Sequence, residues 1–244
     1  MVLSAKERLI IALDVDTVGE AEILVSRLQD RVGVFKVGMQ LFNSEGPEVV
    51  RRIQSLGGKV FLDLKLHDIP NTVGQAAAVL TRLGVFMYNV HTAGGSEMMK
   101  KAVESSVREV GDRGAPMPFV IGVTVLTSIN QAILEKEIGI SGGIEEQVVK
   151  WALLAKGSGL SGVVASPREI RALREACGPD FIIVTPGVRP AWAAVNDQKR
   201  VMTPKEAVEA GASYLVVGRP ITGAADPVEA AKRIVEEMEE GLKC

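Results

Sequence analysis

The chain has 244 residues, 47% of them hydrophobic and 24% charged, with a net charge of −2. That balance is ordinary for a globular enzyme, and a chain of this length can form one large domain, since barrels of about 250 residues are commonly single. Near-neutrality argues against a generic nucleic-acid partner or a polybasic membrane surface, while a few local arginines can still hold a small anion.

The first residues, 1–6, show neither the charged start nor the apolar core of a signal peptide. No apolar run exceeds five residues, so no bilayer-spanning segment is expected. Apolar, β-branched runs alternate with longer segments of helical period along the whole chain. A first strand is expected over 9–14, ending in Asp14 with Asp16 just beyond. The helix over 18–28 places Ala21, Leu24, Val25 and Leu28 on one stripe. The second strand, 34–38, embeds Lys36 among apolar residues. A helix is expected over 44–56, closed by Gly57-Gly58.

The third strand, 59–65, runs from Val60-Phe61-Leu62 into Asp63-Leu64-Lys65-Leu66-His67-Asp68. Asp63 and Lys65 are two apart and therefore share a strand face that would otherwise be core. Charged groups are rarely buried unpaired, and here two carboxylates bracket one ammonium. Taken alone, the cluster reads as a structural ion pair at a strand end.

An alanine-rich helix over 71–83 stops at Gly84, and a strand over 86–91 ends in Asn89 and His91. A helix over 96–110 leads to a strand over 118–126, which ends near Thr127 and Ser128. After a helix over 144–155, residues 157–162 fit G-x-G-x-x-G, but they precede a strand and read as a helix-to-strand turn. A strand over 162–166 meets Ser166 as N-cap and Pro167 as first residue of a helix to 176. The seventh strand, 181–186, runs into the segment 186–203, which carries Arg189, Trp192 and Gln198 and is long enough to be a lid. Thr203-Pro204 opens a helix closed by Gly211. The eighth strand, 214–218, ends in Gly218-Arg219-Pro220, and Asp226-Pro227 opens the last helix.

Eight strand–helix alternations without a linker argue for a single-domain α/β fold, a (β/α)8 TIM barrel over 1–244. A doubly wound open sheet competes, but it wants a glycine-rich turn after its first strand, and Asp14-Val15-Asp16 is not one. In a barrel, function gathers where strands end and βα loops begin. Polar residues stand at that end of seven strands, more than one structural ion pair explains. Gly218 and Arg219 read as an oxyanion grip, with Arg189 and Gln198 as further donors. Only two histidines, His67 and His91, and no cysteine pair make a transition-metal site unexpected, and His91 reads as a hydrogen-bonded structural histidine. Two cysteines, Cys177 and Cys244, form no disulfide framework, and a reduced, cytoplasmic setting follows.

The stretch Asp63-Leu64-Lys65-Leu66-His67-Asp68-Ile69-Pro70-Asn71-Thr72 resembles the signature of the orotidine 5′-phosphate decarboxylase family. Ala12-Leu13-Asp14, Phe35-Lys36-Val37-Gly38, Thr185-Pro186-Gly187-Val188-Arg189-Pro190, Asp197-Gln198 and Val217-Gly218-Arg219-Pro220-Ile221 agree with it. The resemblance spans essentially the whole chain and follows the bacterial form, although 191–196 within the lid finds no match.

The resemblance implies cofactor-free loss of CO2 from orotidine 5′-monophosphate to give UMP. It implies Lys65 as the group that stabilises and protonates the C6 carbanion, held by Asp63 and Asp68, with Lys36 and Asp14 extending the charges toward the ribose. It assigns Thr127 to the pyrimidine edge and places Pro186, Arg189, Gln198, Gly218 and Arg219 around the rest of the nucleotide, chiefly the phosphate. It also implies a homodimer in which Asp68 and Thr72 enter the neighbour's site. Two rivals remain at this stage: a metal-dependent sugar-phosphate lyase whose carboxylates hold Mg²⁺, and a non-catalytic phosphate-binding barrel.

Overall fold

A computed structural model describes residues 3–114, 116–192 and 202–243. Eight parallel strands close into a barrel in sequence order: β1 (Leu9–Ala12), β2 (Val34–Gly38), β3 (Val60–Leu66), β4 (Met87–His91), β5 (Phe119–Val123), β6 (Gly162–Val164), β7 (Ile182–Pro186) and β8 (Tyr214–Val217). β1 pairs with β8, so no sheet edge is left open. Helices connect successive strands, and the single (β/α)8 barrel expected from the alternation is the fold found.

Strand parity builds two cores. One face of each strand packs under the helices, where Ile11, Phe35, Leu62, Tyr88 and Ile183 meet helix residues such as Val25, Ile53, Ala77 and Met238. The other face forms a cluster of strand residues alone: Ile10, Val34, Phe61, Met87, Ile121, Val184, Tyr214 and Val216 fill the barrel interior. Burying each of these larger side chains contributes roughly 1.5–3 kcal/mol. Counting two residues onward from the inner positions exposes the logic of the open end. Val34 leads to Lys36, Phe61 to Asp63, and Met87 to Asn89 and then His91. The periodicity that makes an apolar interior therefore delivers polar groups at the C-terminal mouth.

Several elements differ from expectation. The helix expected over 44–56 is found as Glu48–Ser55, preceded by a separate helix, Met39–Glu45, that begins well before the expected start. Gly46 between them sits at φ 65°, and Pro47 lacks the N–H that a continuous helix would need there. Short helices Ala5–Arg8, Gln131–Lys136 and Arg219–Thr222 were not anticipated, because four to six residues carry too little periodicity to register. Ala5–Arg8 is nonetheless defined locally by a capping box between Ser4 and Glu7. Ser166 caps the turn at Pro167–Glu169 as expected, and the 157–162 segment is a helix-to-strand turn. Gly162 is required there: a Cβ would lie 2.1 Å from the Ile182 carbonyl oxygen of the next strand. Among the described residues, no helix is long and apolar enough to cross a membrane.

Candidate active site

β3 does not end as a regular strand. Its pairing with β4 shifts register between Leu62 and Leu66, and Lys65 adopts φ 54°, alone among described residues other than glycine in being left-handed. That conformation costs about 1–2 kcal/mol for an L-residue. Two contacts offset it. The Lys65 N–H donates to Asn89 Oδ1 at 2.7 Å, and the Lys65 ammonium donates to Asp63 Oδ1 at 2.7 Å. Each hydrogen bond contributes about 0.5–1.5 kcal/mol net, and more when one partner is charged. Parity alone would put Asp63 and Lys65 side by side; the structure joins them through a bulge.

Around Asp63 the charges alternate. Lys36 Nζ lies 3.5 Å from Asp63 Oδ2 and 3.3 Å from Asp14 Oδ1, giving the order Asp14, Lys36, Asp63, Lys65. The side chains of Lys36 and Asp63 are only 12% and 14% exposed, whereas that of Asp14 is 60% exposed and faces the mouth. Burial is the largest influence on Asp63 and pushes its carboxyl up. The charges of Lys36 and Lys65, together with hydrogen bonds from Lys65 and Asn89, outweigh it and hold the group below the usual carboxylate range. Asp63 is therefore an anion fixed between two cations. The absence of a side chain at Gly38 leaves room for this, since a Cβ there would stand 3.1 Å from Lys36 Nζ.

The expected bracket around Lys65 is only half made within the chain. Asp68 and Thr72 are exposed, and among the described residues Asp68 forms no ion pair. Its Oδ1 accepts the Ile69 N–H at 2.6 Å, beside an Ile69 that is 66% exposed. Among the described residues Lys65 thus has one carboxylate partner from its own chain, and two further ammonium protons for other acceptors.

Those of the remaining expected residues that the structure describes stand around the same mouth. Thr127 and Pro186 line an open groove of about 1130 Å³ across the ends of β5, β6 and β7, with Asn130, Ser166 and Met202. Lys36, Asp63 and Lys65 do not line that groove; they occupy the opposite half of the mouth, where β2 and β3 end. Gly218 adjoins Asp14, for a Cβ on it would lie 3.5 Å from Asp14 Oδ2. Arg219 is exposed and opens the short helix Arg219–Thr222 directly after β8, a place where barrels commonly hold phosphate. The Arg189 N–H donates to the Met202 carbonyl at 3.1 Å, tying together the two ends of the 190–201 segment. Gln198, with the rest of 193–201, lies outside the described residues. Trp192 packs on the outer layer: the Arg233 guanidinium of the last helix, Pro227–Leu242, sits 4.2 Å from its ring centroid.

Two residues play parts that differ from the sequence reading. Asn89, noted only as a polar strand end, also donates from Nδ2 to Asp63 Oδ1 at 2.7 Å and so joins β4 to the charged array. The available signal was its place two residues beyond the inward Met87. His91, expected to be hydrogen-bonded, instead stacks on His67 with centroids 5.3 Å apart, and its Nδ1 has no partner among the described residues. Burial, and then electrostatic repulsion from the neighbouring His67 and Lys65, push its pKa down and favour the neutral ring.

A row of fixed alternating charges at a barrel mouth, with donors to spare on Lys65, is suited to stabilising a localised negative charge on a bound molecule. Residues 7–234 match the model of the orotidine 5′-phosphate decarboxylase / HUMPS family. The chain is 59% identical over 240 residues to the orotidine 5′-phosphate decarboxylase of Heliobacterium modesticaldum, covering 98% of this chain and 99% of that protein. It is 58% identical to that of Syntrophomonas wolfei, over 98% and 100% of the two. The crystal structure of orotidine 5′-phosphate decarboxylase from Lactobacillus acidophilus superposes with a TM-score of 0.84 at 42% identity, covering 94% of this chain and 98% of that one. With a family match and relatives that span nearly its whole length, the chain belongs to the orotidine 5′-phosphate decarboxylase / HUMPS family.

Proposed function

We propose that this chain decarboxylates orotidine 5′-monophosphate to UMP, the last step of de novo pyrimidine nucleotide synthesis, as a cytoplasmic, cofactor-free homodimeric enzyme. The observation that carries the reading is the Asp14–Lys36–Asp63–Lys65 array, on a chain of this family. The chemical problem is electronic. The C6–carboxylate bond breaks in the plane of the pyrimidine ring, and its electron pair stays on C6 without delocalising into the π-system. Most decarboxylases supply an electron sink through a cofactor. Here the sink is replaced by fixed charge: the Lys65 ammonium stabilises the pair on C6 and then gives C6 a proton, which solvent later restores to Lys65.

Asp63 keeps Lys65 charged and aimed, and Lys36 with Asp14 carries the alternation toward the ribose hydroxyls. Thr127 bonds the pyrimidine edge. Pro186, Arg189, Gln198, Arg219 and the Gly218 backbone receive the rest of the nucleotide, chiefly its phosphate. Phosphate binding far from C6 supplies energy for the segment 186–203 to close as a lid over the charged site. The exposure of Asp68, Ile69 and Thr72 supports the dimer reading: Asp68 and Thr72 enter the neighbour's site, where Asp68 supplies the second carboxylate beside Lys65.

The decisive assay follows the absorbance of orotidine 5′-monophosphate with and without EDTA. Turnover unchanged by EDTA is the expected result. Loss of turnover in EDTA would favour a metal-dependent lyase on this barrel, and UMP binding without any absorbance change would favour a non-catalytic binding barrel. The engagement of both Asp63 oxygens by Lys36, Lys65 and Asn89 speaks for the cofactor-free reading, since a metal would compete with two ammonium groups.

Arg219→Ala tests the phosphate grip. It is expected to lower kcat/KM for the nucleotide by roughly 100-fold, the size of one charge-assisted contact, and to leave turnover of the phosphate-free nucleoside nearly unchanged. Equal losses on both substrates would make Arg219 structural.

A further inference from the structure

Lys65 has nothing of its own that favours a left-handed backbone: its side chain is long and unbranched and bonds no neighbouring peptide. The register shift between Leu62 and Leu66 takes the strand out of its regular ladder at this point, and the Asn89 side chain takes the Lys65 N–H instead. Asn89 is 1% exposed, so both ends of its amide need partners inside the protein. Oδ1 accepts from the Lys65 backbone and Nδ2 donates to Asp63 Oδ1, each at 2.7 Å. Only this orientation is chemically allowed. The flipped amide would set donor against donor and oxygen against carboxylate. Because the Lys65 ammonium donates to the same Asp63 oxygen, the Lys65 backbone, Asn89 amide, Asp63 carboxylate and Lys65 ammonium close a ring.

We propose that Asn89 is a positioning residue for the charged site: its amide clamps the Lys65 backbone and the Asp63 carboxylate at once, fixing where the Lys65 ammonium points. Its kinetic consequences rest on the decarboxylase reading; its geometric consequence does not. Asp63 is faced by Lys36 from β2, Lys65 from its own strand and Asn89 from β4, with Asp14 beyond Lys36 and His91 on the Lys65 side.

The test compares Asn89→Ala with Asn89→Asp. Asn89→Ala is expected to lower kcat by about 100-fold, the typical penalty of an ångström-scale misplacement, with KM changed less than about threefold. The carboxyl introduced by Asn89→Asp has nearly the shape of the amide, but when ionised it faces Asp63 as a like charge. Once it is protonated, its carbonyl and O–H reproduce the acceptor and donor of asparagine. Activity of this variant relative to the parent should therefore rise as pH falls and the pair takes up a shared proton. A purely structural Asn89 would lower thermal stability in both variants without this pH-dependent recovery, and that result overturns the proposal.

A crystal structure of Asn89→Ala gives a readout independent of turnover. Lys65 is expected to return to negative φ with its ammonium out of hydrogen-bond reach of Asp63; retention of the parent geometry sinks the idea. Should Asn89→Ala fail to fold, Asn89→Asp carries the test through its pH profile and its own structure. If the parent protein does not turn over orotidine 5′-monophosphate, the functional reading fails, and the positioning role is judged on the crystal structures.

Discussion

Replacing Lys65 with alanine is expected to lower kcat by at least about 10³-fold, in line with the loss of one preorganised electrostatic group, while UMP binding stays largely intact. The physical reason is the split between the two tasks. On the proposed reading, the product is gripped at its phosphate, ribose and pyrimidine edge by groups other than Lys65, whereas charge accumulates at C6 only on the way to the transition state. A side chain that acts on the developing charge changes kcat, and one that acts on the phosphate changes affinity for both states. Single-turnover decarboxylation together with UMP titration measures both quantities. Retained turnover in Lys65→Ala would remove the proton-donor role.

The second large effect tests the proposed homodimer, in which Asp68 serves the neighbouring site. Within one chain, Lys65 has Asp63 at 2.7 Å, while Asp68 stays exposed without an ion pair among the described residues. Lys65→Ala and Asp68→Ala homodimers are each expected to lose at least about 10²-fold in kcat. Unfolding an equal mixture and refolding it together should recover about a quarter of parental activity. Half of the dimers formed at random are mixed, and one of their two sites then holds both an intact Lys65 and an intact Asp68. If Asp68 served its own site, no native site would arise and the mixture would stay inactive. The recovery is an all-or-none signature that a destabilising effect of either substitution does not mimic.

The eight strands were legible because the signal for each is local. Apolar runs such as Leu9 to Ala12 and Tyr214 to Val217 need only their own residues to announce a strand covered on both faces, and all eight formed. The helix break at Gly46-Pro47 was written in the sequence as well, in a residue that tolerates positive φ and one that lacks an N–H. Trp192 shows the opposite case. Its sequence neighbours allow it either to seal a lid or to pack on the barrel rim, and only the structure shows its partner, Arg233, some forty residues onward in the last helix.

The sequence by itself determined the barrel, the end of it where polar residues gather, and the candidate residues Asp14, Lys36, Asp63 and Lys65. Period-two alternation carries the inner face of each strand forward from apolar to charged, and that count needs no tertiary information. Only the tertiary structure decided how the charges meet. The left-handed turn at Lys65, the Asn89 amide that spans it and the exposure of Asp68 all depend on the register between β3 and β4 and on what a single chain leaves uncovered. Register is set by pairing between residues more than twenty positions apart, so no window along one strand contains it.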